Sequence, residues 1–197
     1  MSAIPRSFIT PEEYLIRERA AQFKSEYLRG EMFAMAGAQC EHCELRDNLS
    51  AEILIRLGGK SCRPYSADMR VCISSGGLYT YPDISIVCGE PEFQDNVFDT
   101  LLNPIVIIEV LSESTEEYDR GAKFDHYRQI SSLREYVLVS KNQMLVESHA
   151  RTEDDKWVLS VFRGPAKPFE LTSVPLSTPL GDIYRDVQMP EHPRRWA

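Results

Sequence analysis

Tyr81-Pro82-Asp83-Ile84-Ser85-Ile86-Val87 and Ile105-Val106-Ile107-Ile108-Glu109-Val110-Leu111-Ser112 are the two stretches on which the reading of this chain turns. Both are rich in β-branched residues, as strands packed on both faces are. Each carries one acid, Asp83 or Glu109, and the two lie 26 positions apart. A carboxylate in such a run is costly to bury unless a cation offsets its charge. Glu109 is the harder to dismiss, with apolar residues on both sides. Asp83 has a plainer alternative as a strand-end residue satisfied by backbone donors. Two carboxylates on neighbouring strands would form an all-oxygen cage for a hard divalent cation such as Mg²⁺.

Outward from these stretches the chain alternates between helix and strand patterns. Thr10, Pro11 and Glu13 read as a capping box opening a helix that runs to about Gln22. Residues 27–35 read as a hairpin bent at Arg29-Gly30. Leu45, Leu49, Ile53 and Leu57 repeat every four residues and predict an amphipathic helix over 40–57, stopped by Gly58-Gly59. Strands follow over 63–66, 68–73, 79–88 and 105–111, with a turn at Ser74-Ser75-Gly76-Gly77 and a long polar loop over 89–104. A second helix is expected over 114–130, capped by Ser114 or Thr115 and packed through Tyr118, Ala122, Tyr127 and Ile130. A strand over 136–139, a turn at Ser140-Lys141-Asn142 and a hairpin over 144–150 and 157–162 complete the core. The proline-rich tail beyond Pro175 is expected to wrap the surface. This order predicts an α/β fold, a mixed β-sheet flanked by helices, antiparallel around Asp83 and Glu109.

Length and composition set the frame. At 197 residues the chain is read as a single domain over 1–197, with a core covering about 10–185. Hydrophobic content of 43% and charged content of 26% are those of a soluble globular protein. No run reaches the ~18 apolar residues of a membrane span, and Met1 to Arg6 lacks a signal-peptide core. The expected location is cytoplasmic, with no membrane partner. A net charge of −8 argues against a generally basic nucleic-acid surface. Local basic groups, namely Arg63, Arg70, Arg120, Lys123, Arg128 and Arg134, could still line one face. The five cysteines, Cys40, Cys43, Cys62, Cys72 and Cys88, are expected to be reduced and partly buried. Cys40 and Cys43 form C-x-x-C, but no second ligand pair accompanies them for zinc.

Pro82-Asp83 followed by Glu109-Val110-Leu111 resembles the PD-(D/E)XK nuclease motif. The wider run continues through Ser112, Ser114-Thr115, Asp119, Lys123 and Tyr127 to Glu135-Tyr136, with Gly30-Glu31 and His42 upstream. It resembles a bacterial branch of that superfamily grouped as restriction endonucleases of unknown function. The resemblance covers roughly residues 10 to 185 and implies a restriction-endonuclease-like α/β domain with extra antiparallel hairpins. It further implies a Mg²⁺- or Mn²⁺-dependent endonuclease that hydrolyses phosphodiesters in DNA and acts as a homodimer. Asp83, Glu109 and the Val110 carbonyl would hold the metal, and Glu31 would assist as an upstream acid.

One departure from the motif is explicit. Two positions after Glu109 stands Leu111 and not lysine, and the matching cation is Lys123 on the following helix. Asp119, Lys123 and Tyr127 fall at i, i+4 and i+8 and share a face there. A solvated Asp-Lys pair is the simpler reading of the first two. His42 could contact phosphate, serve as a base, or merely cap its helix. Asp68 could be a further acidic ligand or a partner of Arg70, and Glu31 could be a surface charge of its hairpin. The rival to the enzyme is a non-catalytic nucleic-acid-binding or accessory protein that retains the nuclease fold. Acidic net charge and the missing in-line lysine favour that rival.

Overall fold

Side-chain alternation along one central strand divides the molecule into two cores. That strand, β8 (Val106–Leu111), is buried along its whole length. Val106, Ile108 and Val110 face one core, whereas Ile107 and Leu111 face the other, with Glu109 between them. The computed structural model describes residues 8–58, 61–73 and 77–189. Met1 to Arg6, Gly59 of the expected helix stop and Ser74 to Gly76 of the expected turn lie outside the described residues.

β8 is the fourth strand of a six-stranded sheet. Its companions are β3 (Cys62–Ser66), β6 (Ile84–Cys88), β9 (Glu135–Ser140), β10 (Leu145–Arg151) and β11 (Trp157–Arg163). The order is β11-β10-β9-β8-β6-β3, and only β8 and β9 run parallel. A parallel neighbour requires a crossover, here supplied by α3 (Glu116–Arg120) and α4 (Ala122–Tyr127). The second sheet comprises β1 (Ser25–Leu28), β2 (Glu31–Ala34), β4 (Arg70–Ile73), β5 (Leu78–Thr80) and β7 (Thr100–Leu101), ordered β2-β1-β5-β4-β7.

Three apolar clusters follow from this layering. Val71, Ile73 and Leu78 of the second sheet meet Ile107, Leu111, Tyr136 and Leu138 of the first, with Tyr127, Ile130 and Leu133 closing the side. On the outer face of the second sheet α1 (Pro11–Ala20) packs Tyr14 and Leu15 against Tyr27 and Tyr79. Its predicted capping box is present, with Thr10 Oγ1 accepting from the Glu13 amide at 3.2 Å and Glu13 Oε2 accepting from the Thr10 amide at 3.0 Å. On the outer face of the first sheet lies α2 (Cys40–Leu57), whose Leu45, Leu49, Ile53 and Leu57 are all buried.

Several expectations need correction. The stretch expected as one strand over 79–88 divides at Tyr81-Pro82-Asp83, giving β5 to one sheet and β6 to the other; proline cannot donate to a ladder. The helix expected over 114–130 breaks at Gly121, where φ −114° and ψ −100° are not helical. Thr115 occupies the cap position without a side-chain cap bond, and Ala122 is exposed. The tail does not simply wrap the surface. β12 (Pro168–Leu171), β13 (Leu176–Pro179) and α5 (Leu180–Ile183) cover the first sheet, burying Phe169, Leu176, Leu180 and Ile183. Alternating apolar residues lie beneath its prolines, and buried acids pin it. Glu135 accepts from the Thr172 and Ser173 amides at 2.9 Å each, and Glu52 accepts from Thr178 Oγ1 at 3.0 Å. Cys62 and Cys88, expected to be reduced, are joined by a disulfide because the β3–β6 register sets them directly opposite. Cys40, Cys43 and Cys72 are free thiols.

A buried cation holds the second sheet to α1. Arg70 is 2% exposed and donates to Thr100 Oγ1 at 3.0 Å, Tyr81 Oη at 2.7 Å and Asp99 Oδ2 at 2.8 Å. Arg19 of α1 donates to the same Asp99 carboxylate from two nitrogens, each at 2.8 Å. Above all the Arg19 guanidinium holds the Asp99 carboxyl well below the usual carboxylate range, with Thr100 and Arg70 adding to it. A carboxyl depressed on folding contributes stability above its unfolded pKa of ~3.9 and loses it as pH falls toward the folded value. Asp99→Asn is therefore expected to cost about 2 kcal/mol at neutral pH. Urea midpoints at pH 7 and pH 3 check this: the gap between wild type and variant should shrink at the lower pH.

Candidate active site

The β6–β8 register builds the centre of the site. Ile84 stands opposite Ile108, so one step further Asp83 stands opposite Glu109, and directly opposed residues project on one face. The two acids interlock through the backbone. The Val110 amide donates to Asp83 Oδ2 at 2.8 Å, and the Asp83 amide approaches Glu109 Oε2 at 3.4 Å. The other Asp83 oxygen, Oδ1, lies 2.8 Å from His42 Nε2, carried by the first turn of α2.

Two side chains of α4 complete the surroundings of Glu109. Lys123 Nζ lies 2.9 Å from Glu109 Oε1, and Tyr127 Oη donates to that oxygen at 2.7 Å. Lys123 also lies 3.3 Å from Asp119 Oδ1 despite the break at Gly121, and 3.8 Å from Glu26 Oε1. Glu26 in turn accepts from the Thr80 hydroxyl, and the Asp119 carbonyl accepts from Tyr136 Oη at 2.9 Å. Glu109, Asp119, Lys123 and Tyr127 are all buried.

Burial and charge oppose each other here. Burial pushes the Glu109 carboxyl up, and the nearby Asp119 and Asp83 push in the same direction, while Lys123 pulls it down. Burial works against the Lys123 ammonium, yet Glu109, Glu26 and Asp119 together outweigh it and hold the lysine well above its ordinary value. Burial and the Glu109 charge raise Tyr127 well above the phenol range, so its hydroxyl remains a donor. The floor thus gathers three carboxyl groups around one buried ammonium, with Asp83 beside Glu109 and paired with His42.

This floor opens into a cleft of about 910 Å³. Of the sequence candidates, Asp83, Glu109, Val110, Lys123, Asp119 and His42 line it, and Tyr127 reaches it through Glu109. Glu31 and Asp68 do not line it. Glu31 sits at the turn end of the β1–β2 hairpin, opposite Leu28, and Glu26 near the other end is the acid beside Lys123. Asp68 projects into solvent and pairs with Lys24, while Arg70 pairs with Asp99. Of the six basic residues expected on one face, only Lys123 lines the cleft; Arg70 is buried and Arg120 pairs with Glu116 and Glu147. Lys24, Arg46 and Lys141 are the cleft's other cations. They lie in three separate segments, and no local pattern links them.

The donor set is hard oxygen. Asp83 and Glu109 present two carboxylates, and among the described residues no group of three or more His, Cys, Asp or Glu side chains is placed to hold a metal. Two carboxylates suit Mg²⁺, which keeps much of its water when bound. Among the described residues no helix is long and apolar enough to cross a membrane.

Residues 11–181 match the family model Uma2, "Putative restriction endonuclease". Two uncharacterised proteins of Synechocystis sp. are similar over most of their lengths. One is 36% identical over 164 residues, covering 83% of this chain and 93% of the relative. The other is 33% identical over 177 residues, covering 90% and 92%. A crystal structure from Anabaena variabilis, titled as a putative nuclease belonging to DUF820, superposes with a TM-score of 0.73 over 89% of this chain and 97% of that one. At 18% identity that likeness speaks for the fold alone. The family model spans most of the chain, and the chain belongs to the Uma2 family of restriction-endonuclease-like proteins.

Proposed function

We propose that this protein is a divalent-cation-dependent endonuclease that hydrolyses phosphodiester bonds in DNA. One observation carries the reading: Asp83 and Glu109 stand opposite each other at the floor of a cleft, with the Lys123 ammonium 2.9 Å from Glu109. Asp83, Glu109 and the Val110 carbonyl would hold Mg²⁺ or Mn²⁺, which when bound supplies a Lewis acid and an acidified water. Three carboxyl groups around a single ammonium, with Asp83 beside them, give an acid-rich floor that such a cation would offset.

The protein's own groups have distinct tasks in this reading. Lys123 stays protonated and offsets the charge that builds on phosphate oxygens as the bond order at phosphorus changes. Asp119 positions that ammonium, and Tyr127 fixes the Glu109 carboxyl by donating to Oε1. His42, over Asp83 Oδ1, is available to a phosphate oxygen or a proton when the carboxylate turns to the cation. Glu26 takes the place of the upstream acid expected at Glu31. Cutting both strands of a duplex takes two such sites, so a homodimer belongs to the same reading.

A second reading, a non-catalytic nucleic-acid-binding protein, draws on the fact that both Asp83 oxygens and Glu109 Oε1 already have partners within the protein. Incubation of supercoiled and single-stranded DNA with Mg²⁺, Mn²⁺ or EDTA separates the two. Cleavage only with the cations supports the enzyme; intact DNA under all three conditions supports the second reading.

The metal assignment is testable by calorimetry. Asp83→Asn and Glu109→Gln, which preserve shape, are each expected to abolish detectable Mn²⁺ binding while leaving the circular dichroism spectrum unchanged. A wild-type isotherm from either variant would contradict the assignment. The lysine assignment has a separate signature. Lys123→Met is expected to retain Mn²⁺ affinity within a few-fold and lower turnover by about 10² or more. Lys123→Arg is expected to rescue little, because a planar guanidinium is larger than the ammonium it replaces. Wild-type turnover from a folded Lys123→Met protein would remove Lys123 from the mechanism.

A further inference from the structure

The mouth of the cleft holds large apolar side chains that hydrolysis does not use. Phe23 is 80% exposed and Phe33 49% exposed, and Met35 lines the cleft with them. Single exposed apolar residues are ordinary. Here three share the one cleft whose floor carries Asp83 and Glu109. The β1–β2 hairpin fixes their places. Phe33 lies directly opposite Glu26 and projects on the same face, and Glu26 Oε1 is 3.8 Å from Lys123 Nζ. Phe23 precedes Lys24, whose carbonyl accepts from the Met35 amide at 3.0 Å, so the two apolar segments meet at the mouth.

Cations accompany the rings. Lys24 lies against Tyr81, 5.4 Å from the ring centroid, and its ion-pair partner Asp68 is 89% exposed. Arg46 pairs at 3.0 Å with Asp47, itself 69% exposed, and Lys141 donates to the Gln39 side chain. The ion pairs of Lys24 and Arg46 have exposed partners and are worth little, so these two cations can exchange them for phosphate at small cost. Exposed aromatic faces in one cleft with cations make up a surface for unpaired nucleotides, whose bases stack while their phosphates are neutralised. A duplex offers no free base face, and it would leave both phenylalanines in water.

We infer that the cleft takes an unpaired stretch of a DNA strand, its bases stacked on Phe23 and Phe33 and its phosphates held by Lys24, Arg46 and Lys141. The inference rests on the hydrolytic reading of the floor and names the form of DNA that reaches it.

Fluorescence anisotropy in EDTA tests it with a short oligothymidylate, a blunt duplex of equal length and an abasic strand of equal length. The oligothymidylate is expected to bind at least about tenfold more tightly than either of the others. Phe23→Ala and Phe33→Ala are each expected to lower that affinity about tenfold and to leave duplex affinity within twofold. A 2-aminopurine in the single strand should be quenched on binding to wild type and much less so by the variants. Both rings are exposed, so both variants should melt as wild type does. Equal binding of the abasic strand or the duplex, or unchanged affinity in both variants, overturns the inference. Cleavage of the single strand and the duplex with Mg²⁺ separates the two levels. Equal cutting of both, insensitive to the phenylalanines, removes the single-strand inference and leaves the hydrolytic reading standing. Ring-dependent single-strand binding without cation-dependent cleavage does the reverse.

Discussion

Glu109 is a carboxyl group held between two β-sheets, and its need for partners organises the centre of the molecule. Neither Glu109 nor Lys123 could be buried alone without a desolvation cost of several kcal/mol. Together, and with the Tyr127 hydroxyl, they satisfy each other at 2.9 and 2.7 Å. The pairing fixes where the crossover between β8 and β9 rests, because Lys123 and Tyr127 both belong to α4. An ion pair in such a place is seldom the most stable choice, since apolar residues of similar volume often serve as well.

The same frame explains how a lysine can leave the strand. Positions 109 and 111 share a face, and Leu111 fills the apolar space between the sheets. A cation at 111 would project into that core, whereas one from α4 enters beside Glu109 from the side. Lys123 reaches it because the break at Gly121 still leaves Asp119 and Lys123 3.3 Å apart. The other side of the site is held from a distance. Arg70 donates to Tyr81, which precedes Pro82-Asp83, and Arg70 is itself clamped by Asp99 and Thr100. The loop over 89–104, which carries Asp99, thereby braces the strand end at which Asp83 stands.

Legibility in the sequence followed the range of the interactions. The capping box at Thr10, the four-residue repeat of α2 and the apolar strand ending at Leu111 are local patterns, and they emerged close to their observed bounds. The antiparallel apposition of Asp83 and Glu109, with Lys123, Asp119 and His42 around them, followed from spacing and resemblance. Features set by tertiary placement did not emerge. Glu26 and Glu31 lie on one face of one hairpin, and only the packing of that hairpin decides which end meets Lys123. The Cys62–Cys88 bond needs the β3–β6 register, and the cleft cations Lys24, Arg46 and Lys141 come from unrelated segments. The buried tail was masked by its prolines, although Leu176, Leu180 and Ile183 have the spacing of a covering element.

The site is therefore built from two sheets of different character. The first sheet and α4 supply a floor in which each acid is hydrogen-bonded or ion-paired, so its geometry is set before anything binds. The second sheet supplies the mouth through the end of its edge hairpin, where Phe33 and Met35 are exposed. Burial between the sheets holds Glu109, Asp119 and Lys123 in fixed positions. Glu26 joins the two, since it lies on the hairpin yet reaches Lys123 at 3.8 Å.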